Sequence, residues 1–149
     1  MEIAIKKLNE KAQIPTRGSD YAAGYDLYAD LGGEGNIIHI PPHKTIKINT
    51  GIAMAIPTHC FGAIFARSGL ATKNGLRPSN CVGVIDSDYR GEIIVALHND
   101  MDIDQIVGHG SRIAQLVIMP FVQAQFYTVS ELDETERGAG GFGSTDRKE

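Results

Sequence analysis

Apolar residues in this chain recur at every second position. Ile46 and Ile48 in KTIKINT, then Ile52, Met54 and Ile56 in GIAMAIP, are separated by single intervening residues, and EIIVALHN continues in the same vein. Successive side chains of an extended backbone point to opposite faces, so a period of two buries one face of a strand; a helix would scatter the same residues around its axis. Clusters of Gly, Pro, Asn and Asp break the pattern at LGGEGN, IPPHK, NTG, IPTHC, KNGL and LHND. Short strands punctuated about every ten residues build antiparallel sandwiches or barrels, so the expected class is all-β. One short helix is expected at SGLATKN, with Ser68 as its N-cap and Gly75 as its stop. SRIAQLVIMPF is long enough for a helix, but its density of β-branched residues favours a strand buried on both faces.

With 149 residues, 42% of them hydrophobic, the chain has the material for one packed domain. Its net charge of −4 argues against a general binder of nucleic acid or membrane surfaces, which rely on broad positive fields. An anionic ligand therefore needs a local basic site. No stretch approaches the roughly 20 apolar residues of a membrane helix, and a soluble, cytoplasmic protein is expected. Cys60 and Cys81 are too far apart for a CxxC site and are expected to be reduced, packed thiols. His39 and His43 are four apart, but Pro41 and Pro42 between them bar the helical geometry of a zinc pair. Apolar periodicity stops near Glu131, so residues 1–131 are expected to form the core and 132–149 a glycine-rich arm.

Five stretches carry the polar chemistry. GVIDSDYRGEI sets Asp86 and Asp88 two apart after an apolar approach, which suits a hairpin turn as well as acid–base or metal work. ARSGLA places Arg67, Ser68 and Gly69 at the start of the helix, where free N–H groups and a guanidinium suit an anion. In AAGYDLYA, Asp26 sits among apolar residues and needs a partner, either an arginine or a hydrated cation. GSRIAQLV puts Arg112 and Gln115 in an apolar strand, where Arg112 is expected in an internal salt bridge, with Asp26 a candidate partner. RGAGGFGSTD has the glycine spacing of a dinucleotide fingerprint, but no residues follow to build the required helix. It reads either as a plain linker or as an arm able to wrap a polyphosphate. Taken together, arginines, isolated carboxylates and glycines are the parts of phosphoryl chemistry.

In order and at similar spacing, these five stretches resemble the motifs of the trimeric deoxyuridine triphosphatases, over about residues 8–146. The resemblance implies a jelly-roll-like subunit in a homotrimer, with active sites at the subunit interfaces. It implies hydrolysis of dUTP to dUMP and pyrophosphate with Mg²⁺ bridging the phosphates, clearing dUTP from the nucleotide pool and supplying dUMP for thymidylate synthesis. By position, Asp86 would orient and deprotonate the attacking water, and Tyr89 would lie beneath the deoxyribose. Asn80, Gly83 and Val84 would form the uracil pocket. Arg67, Ser68, Gly69 and Gln115 would contact phosphate, and Asp26 would hold waters of the hydrated Mg²⁺. The arm would close as a lid, with Phe142 stacked on uracil and Arg137, Gly143, Ser144 and Thr145 on the distal phosphates. Arg90 is expected to be structural, and Asp88 receives no role. A dCTP deaminase of the same fold is the nearest rival, but where such enzymes carry a glutamate this chain has Ala96. A non-catalytic nucleotide-binding regulator is the other.

Overall fold

The computed structural model describes residues 1–142. Its elements run β1 (Ala4–Lys7), β2 (Thr16–Arg17), β3 (Tyr25–Tyr28), β4 (Ile37–Ile40), β5 (Thr45–Asn49), β6 (Ile52–Ala55), β7 (Cys60–Phe65), α1 (Ser68–Asn74), β8 (Leu76–Pro78), β9 (Gly83–Ile85), β10 (Ile94–Asn99), β11 (Gln105–Gly108) and β12 (Arg112–Pro120). All pairings are antiparallel. The largest sheet has the order β2-β3-β12-β7-β9; β5-β10-β8 forms a second, and β1-β6 and β11-β4 pair off separately. These sheets stack as a jelly-roll-like sandwich around one apolar cluster that includes Leu27, Ile40, Ile48, Ile52, Leu97 and Ile113.

The alternation seen in the sequence is the burial pattern of the strands. In β10, Val95, Leu97 and Asn99 point inward while Ile94, Ala96 and His98 are more exposed. Asn99 is a polar residue in the core and is satisfied there: its amide donates to the carbonyls of Ile40 at 2.9 Å and Ile103 at 2.8 Å, and its oxygen accepts from the Met101 N–H.

Three expectations are corrected. The N-cap of α1 is Arg67, in extended conformation, and Ser68 is the first helical residue. Arg67 makes no capping bond, since a guanidinium has no acceptor for a helix N–H; its side chain donates instead to a carboxylate on β3. Gly75 does end the helix, at φ 62°. Cys60 is buried but Cys81 is exposed, in a tight turn at φ 62°, where the chain reverses ahead of β9 and leaves the thiol outside the core. Finally, β12 is a strand, but only Ile113, Ala114 and Leu116 are fully buried; its C-terminal end is exposed.

The packed body ends at Pro120, whereas the change in composition falls at Glu131. Phe121 makes the last backbone bond to the body, from its N–H to the His59 carbonyl at 3.2 Å. Val122, Phe126, Tyr127 and Leu132 are almost fully exposed. Their apolar character suits burial, but the described residues of this chain offer them no cover.

Candidate active site

The first group of polar residues gathers between β3, β12 and the start of α1. Strand pairing puts Asp26 of β3 directly opposite Gln115 of β12. The register shifts between Arg112 and Ala114, the signature of a bulge. Strict alternation would send Arg112 into the core with Ala114 and Leu116. The extra residue instead buries Ile113 and Ala114 together and turns Arg112 onto the face that carries Asp26 and Gln115.

Asp26, its side chain 13% exposed, takes both arginines: Arg67 Nε donates to Oδ1 at 2.8 Å and Arg112 Nη1 to Oδ2 at 3.2 Å. Gln115 donates to the Ala66 carbonyl at 2.9 Å, tying β12 to the entry of α1. Gly24 permits this, because a Cβ there would overlap the Gln115 amide. The first intrahelical bond is from the Ala71 N–H to the Arg67 carbonyl, so the N–H groups of Ser68 and Gly69 face outward without helical partners. The space above Gly69 is open. A cleft of about 480 Å³ results, in which Arg67, Arg112 and Lys73 outnumber the carboxylate of Asp26. That is the local positive site an acidic chain needs in order to hold an anion.

A second group flanks β9. Before it, the Asn80 amide lies over Gly83, 3.5 Å from where a Cβ would stand. After it, the chain turns at Asp86–Tyr89, closed by the Tyr89 N–H on the Asp86 carbonyl at 3.2 Å. Arg90 donates to the carbonyls of Ser87 and Tyr89 and braces that turn, as expected of a structural residue. Asp86, Tyr89, Val84 and Glu92 line a smaller cleft of about 190 Å³.

The two clefts do not merge. β9 runs antiparallel to β7, with Ile85 opposite Gly62 and Gly83 opposite Ile64. Asp86 therefore leaves at the Phe61 end of β7, while Arg67 lies beyond the other end. Six steps along an extended chain separate Phe61 from Arg67, about 20 Å. Asn80 stays at the Arg67 end. The described part of the arm, up to Phe142, meets neither cleft: Arg137 bonds the Gly140 carbonyl of its own turn at 2.9 Å, and Phe142 is fully exposed. Gly143, Ser144 and Thr145 lie outside the described residues.

Among the described residues no group of three or more His, Cys, Asp or Glu could hold a metal ion by itself. No helix among them is long and apolar enough to cross a membrane. Three participants were missed in the sequence. Lys73 could have been found from its place one helical turn and a half after Ser68 in ARSGLATK. The bulge that turns Arg112 and the contacts of Glu92 leave no signal in a single sequence.

Away from the clefts, Asp30 and His109 join the β3 exit to the β11–β12 turn. His109 Nδ1 accepts the Leu31 N–H at 3.0 Å and lies 3.6 Å from Asp30 Oδ1, both side chains being less than a tenth exposed. Burial is the largest influence on Asp30 and pushes its carboxyl upward. Bonds from the Asn9 amide and the Gly32 N–H, with the charge of Lys11, outweigh it and hold Asp30 below its ordinary value.

The dUTPase family model matches residues 10–146. The chain is 47% identical over 146 residues to a deoxyuridine 5'-triphosphate nucleotidohydrolase of Desulfitobacterium hafniense, covering 97% of this chain and 95% of that one. It is 47% identical to the mitochondrial one of Dictyostelium discoideum, covering 95% and 75%. Among solved structures, a variant of the Staphylococcus bacteriophage 80alpha dUTPase with dUpNHpp superposes with a TM-score of 0.86 at 27% identity, covering 97% of this chain and 98% of that one.

Proposed function

This chain belongs to the dUTPase family and hydrolyses dUTP, and we propose that it does so at sites shared between the subunits of a homotrimer, yielding dUMP and pyrophosphate. The observation that carries the shared site is the separation of its two clefts. Asp86 and Tyr89 hold what a water attack on a deoxynucleoside phosphate needs. Arg67, Ser68, Gly69 and Gln115 hold what a triphosphate needs. A single nucleotide cannot reach both across about 20 Å of strand, so the second cleft must come from another copy.

In the assembled site, Asn80, Gly83 and Val84 receive the uracil, with main-chain groups standing in for a pairing base. Tyr89 lies beneath the deoxyribose and leaves no room for a 2′-hydroxyl. Asp86 accepts a proton from a water held in line with the α-phosphorus. As the new P–O bond forms, the bond from that phosphorus to the α,β-bridging oxygen breaks, and pyrophosphate leaves. The cationic cleft stabilises the departing charge, and most of the acceleration is positioning and electrostatics. Both Asp26 oxygens meet arginines, so it offers Mg²⁺ an outer carboxylate beside the phosphate-binding groups and not a direct ligand, which suits an ion that usually keeps several waters and is held mainly by substrate phosphates. Asp26 would hold waters of that ion, which would supply charge neutralisation across the phosphates. Arg137, Gly143, Ser144 and Thr145 of the 132–149 arm close on the distal phosphates, and Phe142 covers the base, excluding water. A free nucleotide is a substrate of the cytoplasm, where we place the reaction. Deamination of dCTP is not favoured, because Ala96 offers no group for proton transfer.

Subunit mixing tests the shared site. Asp86→Asn and Arg67→Ala chains are each expected to lose turnover by orders of magnitude. Unfolded and refolded together in equal amounts, they should recover about a quarter of wild-type turnover, because each damaged cleft can meet an intact one on a neighbour. Absence of recovery in a correctly assembled mixture would overturn the shared site.

A further inference from the structure

Tyr89 is 43% exposed, on a turn held by Arg90, yet its ring is not free. Its hydroxyl donates to the Glu92 carbonyl at 2.9 Å, and the ring folds back over Gly91, where a Cβ would stand 2.6 Å from Tyr89 Cζ. What fixes the ring is thus the backbone of residues 91–92, and that backbone is fastened from its other side. The Glu92 carboxylate accepts the Gly51 N–H at 2.8 Å through Oε1 and the Asn49 amide at 2.9 Å through Oε2. The next residue, Ile93, is fully buried; its N–H bonds the Ile52 carbonyl at 2.9 Å, and its own carbonyl accepts from Thr50. The 49–51 turn is anchored in turn to the body by the Asp30 N–H on the Asn49 carbonyl and the Leu8 N–H on the Gly51 carbonyl. A carboxylate taking two donors makes charge-assisted bonds, roughly twice as strong as neutral ones.

We propose that Glu92 is the positioning residue for Tyr89: its carboxylate clamps the 89–92 turn onto the 49–51 turn, and so sets how strictly the Tyr89 ring excludes a ribose 2′-hydroxyl. This rests on the reading of Tyr89 as the floor beneath the sugar. Glu92 itself touches no substrate. Loosening the clamp lets the ring swing and admits the extra hydroxyl, so its signature is discrimination between dUTP and UTP rather than turnover alone.

The test compares kcat/KM for dUTP and UTP in Glu92→Ala, Glu92→Gln and Tyr89→Ala chains, with melting temperatures measured alongside. Glu92→Ala removes both bonds and should lower the dUTP/UTP ratio about tenfold; Glu92→Gln cannot accept from both donors and should lower it about threefold. If the alanine chain fails to fold, the glutamine chain decides. A lowered melting temperature with an unchanged ratio in the folded Glu92 variants would make the clamp merely structural and overturn the proposal. Tyr89→Ala separates the two readings: a ratio unmoved by that change would sink the sugar-floor assignment itself, and Glu92 with it, whereas a ratio lowered by Tyr89→Ala but not by Glu92 changes would sink only Glu92.

Discussion

Asp26→Asn separates the two things this carboxylate is asked to do. The side chain keeps its shape and one acceptor oxygen, but loses the charge that faces Arg67 at 2.8 Å and Arg112 at 3.2 Å. A hydrogen bond to a charged group contributes about 1.5–3 kcal/mol, and the amide oxygen retains part of it, so the Arg67 contact loses about 1 kcal/mol. Arg112 is 51% exposed, so its contact is worth about 0.5 kcal/mol by the standard of surface pairs. The two losses act in the same direction and come to about 1.5 kcal/mol. In a chain of this length that lowers the melting temperature by about 3–6 °C. Differential scanning calorimetry at fixed protomer concentration measures it, since the proposed assembly would make the midpoint concentration-dependent. The same change adds one unit of positive charge to the cleft. Pyrophosphate should therefore bind more tightly in EDTA, while Mg²⁺-dependent turnover falls. A melting temperature within about 1 °C of wild type, or weaker pyrophosphate binding in EDTA, would refute this account of Asp26.

Gly24→Ala puts a methyl group onto the Gln115 amide and should break its bond to the Ala66 carbonyl, with kcat/KM reduced about tenfold; unaltered kinetics would mean that Gln115 does not serve the phosphate cleft. Phe142→Ala should leave the melting temperature unchanged, because the ring is fully exposed, yet cost about 1–3 kcal/mol of transition-state binding if it stacks on the base; a large fall in melting temperature would place Phe142 in a core instead. Asp30 supplies the pH prediction. A carboxyl held below its ordinary value stabilises the fold while ionised, so its contribution is complete above about pH 5 and is lost as pH falls past 3.8 toward the lowered native value. The melting-temperature gap between wild type and Asp30→Asn should then narrow in acid, and a gap constant from pH 7 to 3 would contradict the assignment.

Much of the fold is legible in the sequence, because period-two burial is written directly into residues 46–56 and 93–99, and Gly75 can end a helix where other residues pay in strain. The need of Asp26 for an arginine was also legible, since an unpartnered carboxylate among apolar residues is costly. Less visible were features that depend on pairing across the sheet. The bulge at Ile113 turns Arg112 outward, and nothing in GSRIAQLV announces a lost register. Ser68 looked like the N-cap by residue type, yet the capping position went to Arg67 because Asp26 on a distant strand holds that side chain. Hydrophobicity in FVQAQFYTVSEL reads as core from composition, but beyond Phe121, whose ring meets Phe61 edge-on, the described residues give it little to pack against. That the two clefts lie toward opposite ends of β7 was not readable from the residues alone, because sequence order does not say which end of a strand a turn will occupy.

The central proposal is that this chain, in hydrolysing dUTP to dUMP and pyrophosphate, depends on Mg²⁺ and prefers dUTP to other nucleotides. Pyrophosphate release from dUTP, dCTP, dTTP and UTP in parallel, with Mg²⁺ and then EDTA and with products identified by chromatography, tests it most directly. Fast, Mg²⁺-dependent release from dUTP alone, with dUMP as the nucleotide product, is the expected result. Equal release from all four, a deaminated product from dCTP, or no release from dUTP would contradict it.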